Sequence, residues 1–257
     1  MSDERSDIGL KSVTTALQIL EMVVFSQGEV GVSEVAEQFG VAKGGVYRHL
    51  QTLLAQGYLW QNPETSKYRA GIQCHLLGRS AAESVDLLSA SNQPMKALRD
   101  ATGITVTLAI YKAGKVLIVE RLFGTMPMEI GVRPGSEFAL HTTSQGKVFL
   151  AFGKPALWNS LENKKLAGLT KHSIVDVAAL EQECQQVKAQ GWAMAPEETI
   201  IGINAISAPV FDSNSACVAA LTLVGSVQHI NRTPSPVQVS SLINAARTIS
   251  TQLGYRA

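Results

Sequence analysis

The stretch "GVAKGGVYRHLQTLLAQGYL", residues 40–59, reads as a tight turn followed by an amphipathic helix, yet the helix opens on Gly44 and Gly45. Each glycine costs about 1 kcal/mol relative to alanine within a helix. Val46, Leu50, Leu53 and Leu54 form the apolar stripe and leave Tyr47, Arg48 and Gln51 on other faces. Upstream, "SEVAEQFG" is a short helix with Ser33 in the N-cap position and Gly40 where a left-handed C-cap belongs. Further upstream, "SVTTALQILEMVVFS" puts Val13, Leu17, Leu20 and Val24 on one face, with Ser12 as N-cap. Downstream, "YLWQNPETSKYRAG" reads as a β-hairpin around Asn62-Pro63-Glu64. Helix, turn, helix and hairpin together make a winged helix-turn-helix over residues 10–70. The quoted helix then stands where a recognition helix stands, with its N-terminal residues at the base edges of the major groove. Two glycines there allow the backbone to come close to DNA. The expected DNA contacts are Ser33, Lys43, Gly44, Gly45, Tyr47 and Arg48, with Lys67 and Arg69 in the wing; Tyr47 reads equally well as a core residue.

Composition frames the rest. The chain has 257 residues, 46% hydrophobic and 17% charged, which suits a folded protein with sizeable cores and excludes general disorder. A net charge of +1 alone does not call for nucleic acid. The charges are, however, mostly acidic before residue 38 and mostly basic from 38 to 80, and a local positive face is all that phosphate attraction needs. The start, "MSDERSDIGLK", is polar and acidic, and no unbroken apolar stretch of about 18 residues follows, so a cytoplasmic protein with no membrane partner is expected. Cys74, Cys184 and Cys217 lack metal or disulfide spacing and read as small buried hydrophobes. Nothing in the sequence implies a cofactor or a metal.

Residues 71–89 keep a helical rhythm at Ile72, Leu76, Leu77, Ala81 and Val85 and read as a helical connector. From about residue 90 to 257 the order is a helix, the strands of "ITVTLAIYKAGKVLIVERL", a strand pair around "MEIGVRPGSEFAL" and the helix "TTSQGKVFLAFG". A long helix "DVAALEQECQQVKAQG", two apolar strands joined by "SNS", and a helix from about Ser235 to Leu253 complete it. Grouped strands with covering helices predict an α+β sheet domain.

Taken together, "KSVTTALQILE", "GVAKGGVYRHLQTLLAQGYL", "KYRAG", "LHTTSQGKVFLA" and "EETIIGINAISAPV" resemble the isocitrate lyase regulator (IclR) family of bacterial transcription factors. The resemblance spans nearly the whole chain. It departs at Gly44-Gly45, where the family more often has Ser-Thr, so operator contacts do not carry over there. It implies a ligand-responsive regulator of a catabolic operon, with a GAF-like effector domain over residues 90–257. It also implies a homodimer, assembling further as a dimer of dimers, on a pseudo-palindromic operator, with the connector's Leu76, Leu77 and Val85 at the dimer contact.

The resemblance further places the effector against "LHTTSQGK" and the "EE" segment. Thr142 or Thr143 can cap the helix there, leaving backbone N–H groups free for an anion around Thr143 and Ser144, and His141 can help hold the pocket. Family members that take very small oxoacids carry Asp, Cys and Ser at positions that here are Ala195, Ala205, Thr222 and Val224. Those substitutions imply a small organic acid with an apolar body, aromatic acids included, walled by Met128, Ile130 and Phe138. The contrasting class is a small-molecule enzyme with a vestigial DNA-binding head. Against it, Thr142 stands where a nucleophile elbow needs glycine, "SQGK" is not a phosphate loop, and adjacent Glu197 and Glu198 need not face one substrate.

Overall fold

The structure, a computed structural model, describes residues 10–256 except 27, 85, 127–129, 160 and 162–164. It divides into two compact units, Met1–Val85 and Asp86–Ala257.

The first unit holds α1 (Lys11–Phe25), α2 (Val32–Phe39), α3 (Lys43–Ala55), the strands β1 (Leu59–Gln61) and β2 (Tyr68–Ala70), and α4 (Ile72–Ser84). It is a winged helix-turn-helix. Ile19, Val23, Val35, Val46, Leu50 and Tyr68 form its core. Gly40 ends α2 in the left-handed conformation at φ 62°, which lets the chain reverse into α3 without a Cβ clash. The wing is fixed by its turn, because Asn62 Oδ1 accepts from the Glu64 amide at 2.9 Å while its side-chain nitrogen donates to Glu29 at 3.0 Å. The backbones of Val30 and Tyr68 bridge the wing to the segment before α2.

Three details differ from expectation. Leu10, not Ser12, caps α1, and Gly31, not Ser33, caps α2, neither through a side-chain bond; Ser33 lies exposed in the first turn. On α1, Ile19 and Val23 face the core while Val13 and Leu17 are exposed. The helix carries two adjacent apolar faces, so periodicity alone cannot choose between them. In the span expected for the connector, residues 72–84 and 86–89 are helical, and Val85 lies outside the described residues.

In the second unit, α5 (Asp86–Thr102) leads to β3 (Thr105–Lys112), β4 (Lys115–Leu122), β5 (Glu137–Phe138), α6 (Ser144–Phe152) and the short α7 (Ala156–Asn159). Then come α8 (Val177–Gln190), β6 (Ala193–Pro196), β7 (Ile203–Phe211), β8 (Cys217–Ser226) and α9 (Pro236–Gln252). The strands form one antiparallel sheet in the order β5-β4-β3-β8-β7-β6. Of the strand pair expected around residues 128–140, only β5 is a strand among the described residues, and Arg133–Ser136 make the turn before it with Gly135 at φ 88°. The Asp176 side chain caps α8, and Ser235 with Gln238 forms a capping box on α9.

The sheet's two faces differ in side-chain size. Val106, Leu108, Ile206, Leu221 and Leu223 pack in one core with residues of α5 and α9. The opposite face carries Ala109, Ala220, Ala193, Ser207, Thr222 and Ala205, small enough for α6 to lie close. Gly146 marks the tightest approach, since a Cβ there would stand 2.0 Å from the Leu140 carbonyl oxygen. The unit is an α+β, GAF-like domain.

Candidate functional site

The second unit contains a cavity of ≈ 420 Å³ on the α6 face of the sheet. That volume lies within the roughly 300–1,000 Å³ typical of small-molecule sites. Its floor includes Ala195, Ala205 and Val224, which stand in register on three neighbouring strands, β6, β7 and β8. Phe138 and Val132 supply one wall, and Ile200, Ile203 and Thr199 of the β6–β7 loop and its end supply another. Thr143 and Gln145, at the start of α6, and Arg133 and Ser136, on the turn before β5, give the polar part of the lining.

Of the sequence-selected effector residues, Phe138, Thr143, Ala195, Ala205 and Val224 line this cavity. Thr143 is the N-cap of α6, its hydroxyl accepting from the Gly146 amide at 3.1 Å. The others lie elsewhere. Ile130 lines a neighbouring crevice that shares Val224. His141 is buried with Nε2 2.9 Å from the Ala167 carbonyl oxygen. Ser144 is turned to the sheet, where its hydroxyl lies 2.7 Å from Ser207 Oγ, which in turn lies 2.8 Å from Thr222 Oγ1. This buried hydroxyl chain satisfies polar groups that α6 would otherwise cover unpaired. Met128 falls outside the described residues. Missed by the sequence reading are Gly131, Val132, Arg133, Ser136, Gln145, Thr199, Ile200 and Ile203. The "RPGS" turn signal at 133–136 could have marked Arg133 as rigidly presented, but no periodicity marks a loop residue as a cavity wall.

The loop that carries Thr199 and Ile200 is tied down at several points. Thr199 donates to the Thr142 carbonyl at 2.6 Å and Ser173 to the Glu198 carbonyl at 2.7 Å. Glu197, at φ 57°, accepts from the Gly202 amide and pairs with Arg232; these contacts hold its carboxyl below the ordinary carboxylate range, the Gly202 bond most of all. Glu198 turns inward to Lys147. Burial pushes the Glu198 carboxyl up, against the opposing pull of the Lys147 ammonium. The two glutamates therefore act on different partners, and Ser144, His141 and Lys147 do not form a nucleophile–base pair.

On the first unit, Lys43, Gly44, Tyr47 and Arg48 lie exposed on α3, with Tyr47 half-exposed rather than in the core and Gly45 half-buried. Beyond their chain neighbours and the adjacent backbone of α3 itself, no atom of the described residues lies within 4 Å of a Cβ placed on Gly44 or Gly45. In the wing, Lys67 pairs with Glu34 of α2 at 3.0 Å, and the Arg69 guanidinium stacks 4.1 Å from the centre of the Trp60 ring, its cross-strand neighbour. Cys184 is buried and its thiol pushed up to about 12 by burial, whereas Cys74 and Cys217 are only half-buried.

Residues 79–251 match the family model for the C-terminal region of the bacterial transcriptional regulator IclR, and residues 12–63 match the IclR helix-turn-helix domain. The chain belongs to the IclR family. Its IclR relatives include the glycerol operon regulatory protein of Streptomyces griseus, 28% identical over 247 residues that cover 95% of this chain and 97% of that one. The IclR transcriptional regulator of Alicyclobacillus acidocaldarius superposes with a TM-score of 0.87 at 24% identity, covering 96% of this chain and all of that one (100%). An IclR homologue of Microbacterium hydrocarbonoxydans, solved as a complex with 4-hydroxybenzoate, gives 0.84 at 19% identity, covering 94% and 98%. The helix-turn-helix is thus the DNA-binding module of a transcriptional regulator. Among the described residues no helix is long and apolar enough to cross a membrane.

Proposed function

We propose that this IclR-family chain is a ligand-responsive, non-enzymatic regulator of a catabolic operon, whose effector is a small organic acid with an apolar, aromatic body. The observation that carries this reading is the ≈ 420 Å³ cavity floored by Ala195, Ala205 and Val224. Such a floor offers apolar ligand surface about 25 cal/mol per Å² and gives a small, strongly hydrated oxoacid few partners. The 4-hydroxybenzoate held by the Microbacterium relative supports an aromatic acid. Calorimetry on the full chain, with benzoates and phenylpropenoates set against pyruvate and glyoxylate, tests it. Tight binding of pyruvate or glyoxylate with no response to any aromatic acid overturns the reading.

The same proposal gives α3 the reading of the operator. Lys43, Tyr47 and Arg48 project from its exposed face, Gly44 and Gly45 leave room for close backbone approach, Ser33 lies at the start of α2, and Lys67 and Arg69 stand in the wing. The chain acts as a homodimer or dimer of dimers on a pseudo-palindromic operator, since a single winged helix has a small interface and two symmetric half-sites multiply affinity.

A further inference from the structure

The cavity presents two polar groups of different kinds at different depths. Arg133 is exposed at its rim, and no carboxylate among the described residues pairs with the guanidinium. Its turn is held rigidly: the Ser136 amide donates to the Arg133 carbonyl at 3.1 Å, and the Gly135 amide to Ile118 of β4 at 2.8 Å. Gln145, by contrast, is only 6% exposed. Its one side-chain contact is a long 3.4 Å approach of Ser144 Oγ to Oε1, so the amide nitrogen is left without a partner among the described residues while the side chain lines the cavity.

Resting on the aromatic-acid reading above, we propose that the cavity is read at both levels: Arg133 holds the effector's carboxylate at the rim, and Gln145 meets a hydroxyl on its buried part. An unpaired carboxylate is expensive to bury, and the rim lets it keep part of its hydration while the planar guanidinium binds it through two oxygens. The α6 start is less suited to that charge, because its Gly146 amide already donates to the Thr143 cap oxygen. A hydroxyl both donates and accepts, so it complements the Gln145 amide in either orientation. The ligand class is therefore a hydroxylated aromatic acid rather than a plain one.

The test uses calorimetry with 4-hydroxybenzoate, 3-hydroxybenzoate and 4-hydroxycinnamate, each against its primary amide and against the acid lacking the hydroxyl. The wild-type chain should prefer at least one of these hydroxy acids over its amide by about tenfold or more, and over its deoxy partner by about fivefold. Arg133→Met should abolish the first preference and keep the second; Gln145→Met should do the reverse. If Gln145→Met does not fold, the ligand series on the wild-type chain still decides. Binding without either preference, or an acid-over-amide preference that survives Arg133→Met, overturns this assignment and leaves the aromatic-acid reading standing. No binding by any hydroxylated or plain aromatic acid overturns that reading and this one with it.

Discussion

The Lys147 ammonium lies 2.7 Å from Glu198 Oε1, with both side chains almost wholly out of water. Lys147 also donates to the Met194 carbonyl at 2.9 Å and reaches Glu183 at 3.2 Å, so one cation ties α6 to β6, α8 and the β6–β7 loop. That loop carries Thr199 and Ile200, part of one wall of the cavity. A buried ion pair of this kind positions the site more than it stabilises the fold, because desolvation offsets most of the attraction.

Removing Lys147 alone should be costly. Lys147→Met strands a buried carboxylate and should lower stability by about 3–5 kcal/mol, with Lys147→Met/Glu198→Gln recovering much of the loss. The deficit should depend on pH. Burial raises the Glu198 carboxyl, so the folded chain holds that proton more tightly than the unfolded chain. Its contribution is greatest below the ordinary carboxylate range and declines as pH rises through the folded-state value. Without the opposing ammonium that decline steepens, so urea denaturation should show a larger Lys147→Met deficit near pH 8 than near pH 5. An equal deficit at both would mean that Glu198 is not the group responsible.

Glycines of identical chemistry should respond in opposite ways. A methyl on Gly44 or Gly45 meets nothing among the described residues within 4 Å beyond the adjacent backbone, so either alanine variant should firm the start of α3 by up to about 1 kcal/mol and raise the melting temperature. Gly146→Ala drives a carbon into the Leu140 carbonyl, and overpacking there should cost about 3 kcal/mol or more. If Gly44→Ala and Gly45→Ala raise stability and also leave operator affinity unchanged, close backbone approach to DNA is not why those glycines are there.

The wing's charges set up a third expectation. Lys67 is paired with Glu34, whose carboxyl is held low chiefly by that hydrogen bond, whereas Lys43 and Arg48 have no such partner among the described residues. Lys43→Ala and Arg48→Ala should each reduce the salt slope of DNA binding by about 0.9 per phosphate lost. Glu34→Gln frees the Lys67 ammonium and removes a nearby negative charge, so it should tighten binding, most visibly at low salt. Filter binding across a salt series measures all three, and weaker binding by Glu34→Gln would place Lys67 away from the duplex.

Much of this architecture is legible in the chain because local rules act alone there. The α3 stripe of Val46, Leu50 and Leu53 and the Gly40 stop each follow from neighbours in sequence. The cavity is different. Ser144 looks ligand-facing within "HTTSQGK", but the packing of α6 sets it over Ser207, and Gln145, one residue on, faces the cavity instead. Ala195, Ala205 and Val224 become one floor only through the register of three strands, and Arg133 joins them from a turn far away in sequence. Such groupings depend on long-range contacts that no local period encodes.

The misjudged face of α1 yields the last prediction. The N-cap Leu10 and Val13 and Leu17 run along its exposed side, on the face next to that of Ile19 and Val23, and on α4 Leu76 and Leu77 are likewise exposed. A chain that keeps these leucines in water gains nothing from them within its own fold, and an apolar stripe of this sort marks a surface for association. If they bury against a second copy, Leu17→Glu should shift the sedimentation mass toward one chain at micromolar concentration. Operator affinity should fall as well, because a monomer meets only one half-site. Since the Leu17 side chain is half-exposed in the single chain, the substitution should lower the melting temperature little at concentrations where the wild type is itself dissociated. A wild-type mass of one chain with undiminished operator binding would remove the dimer from the mechanism. An intact Leu17→Glu assembly would instead move the contact off α1.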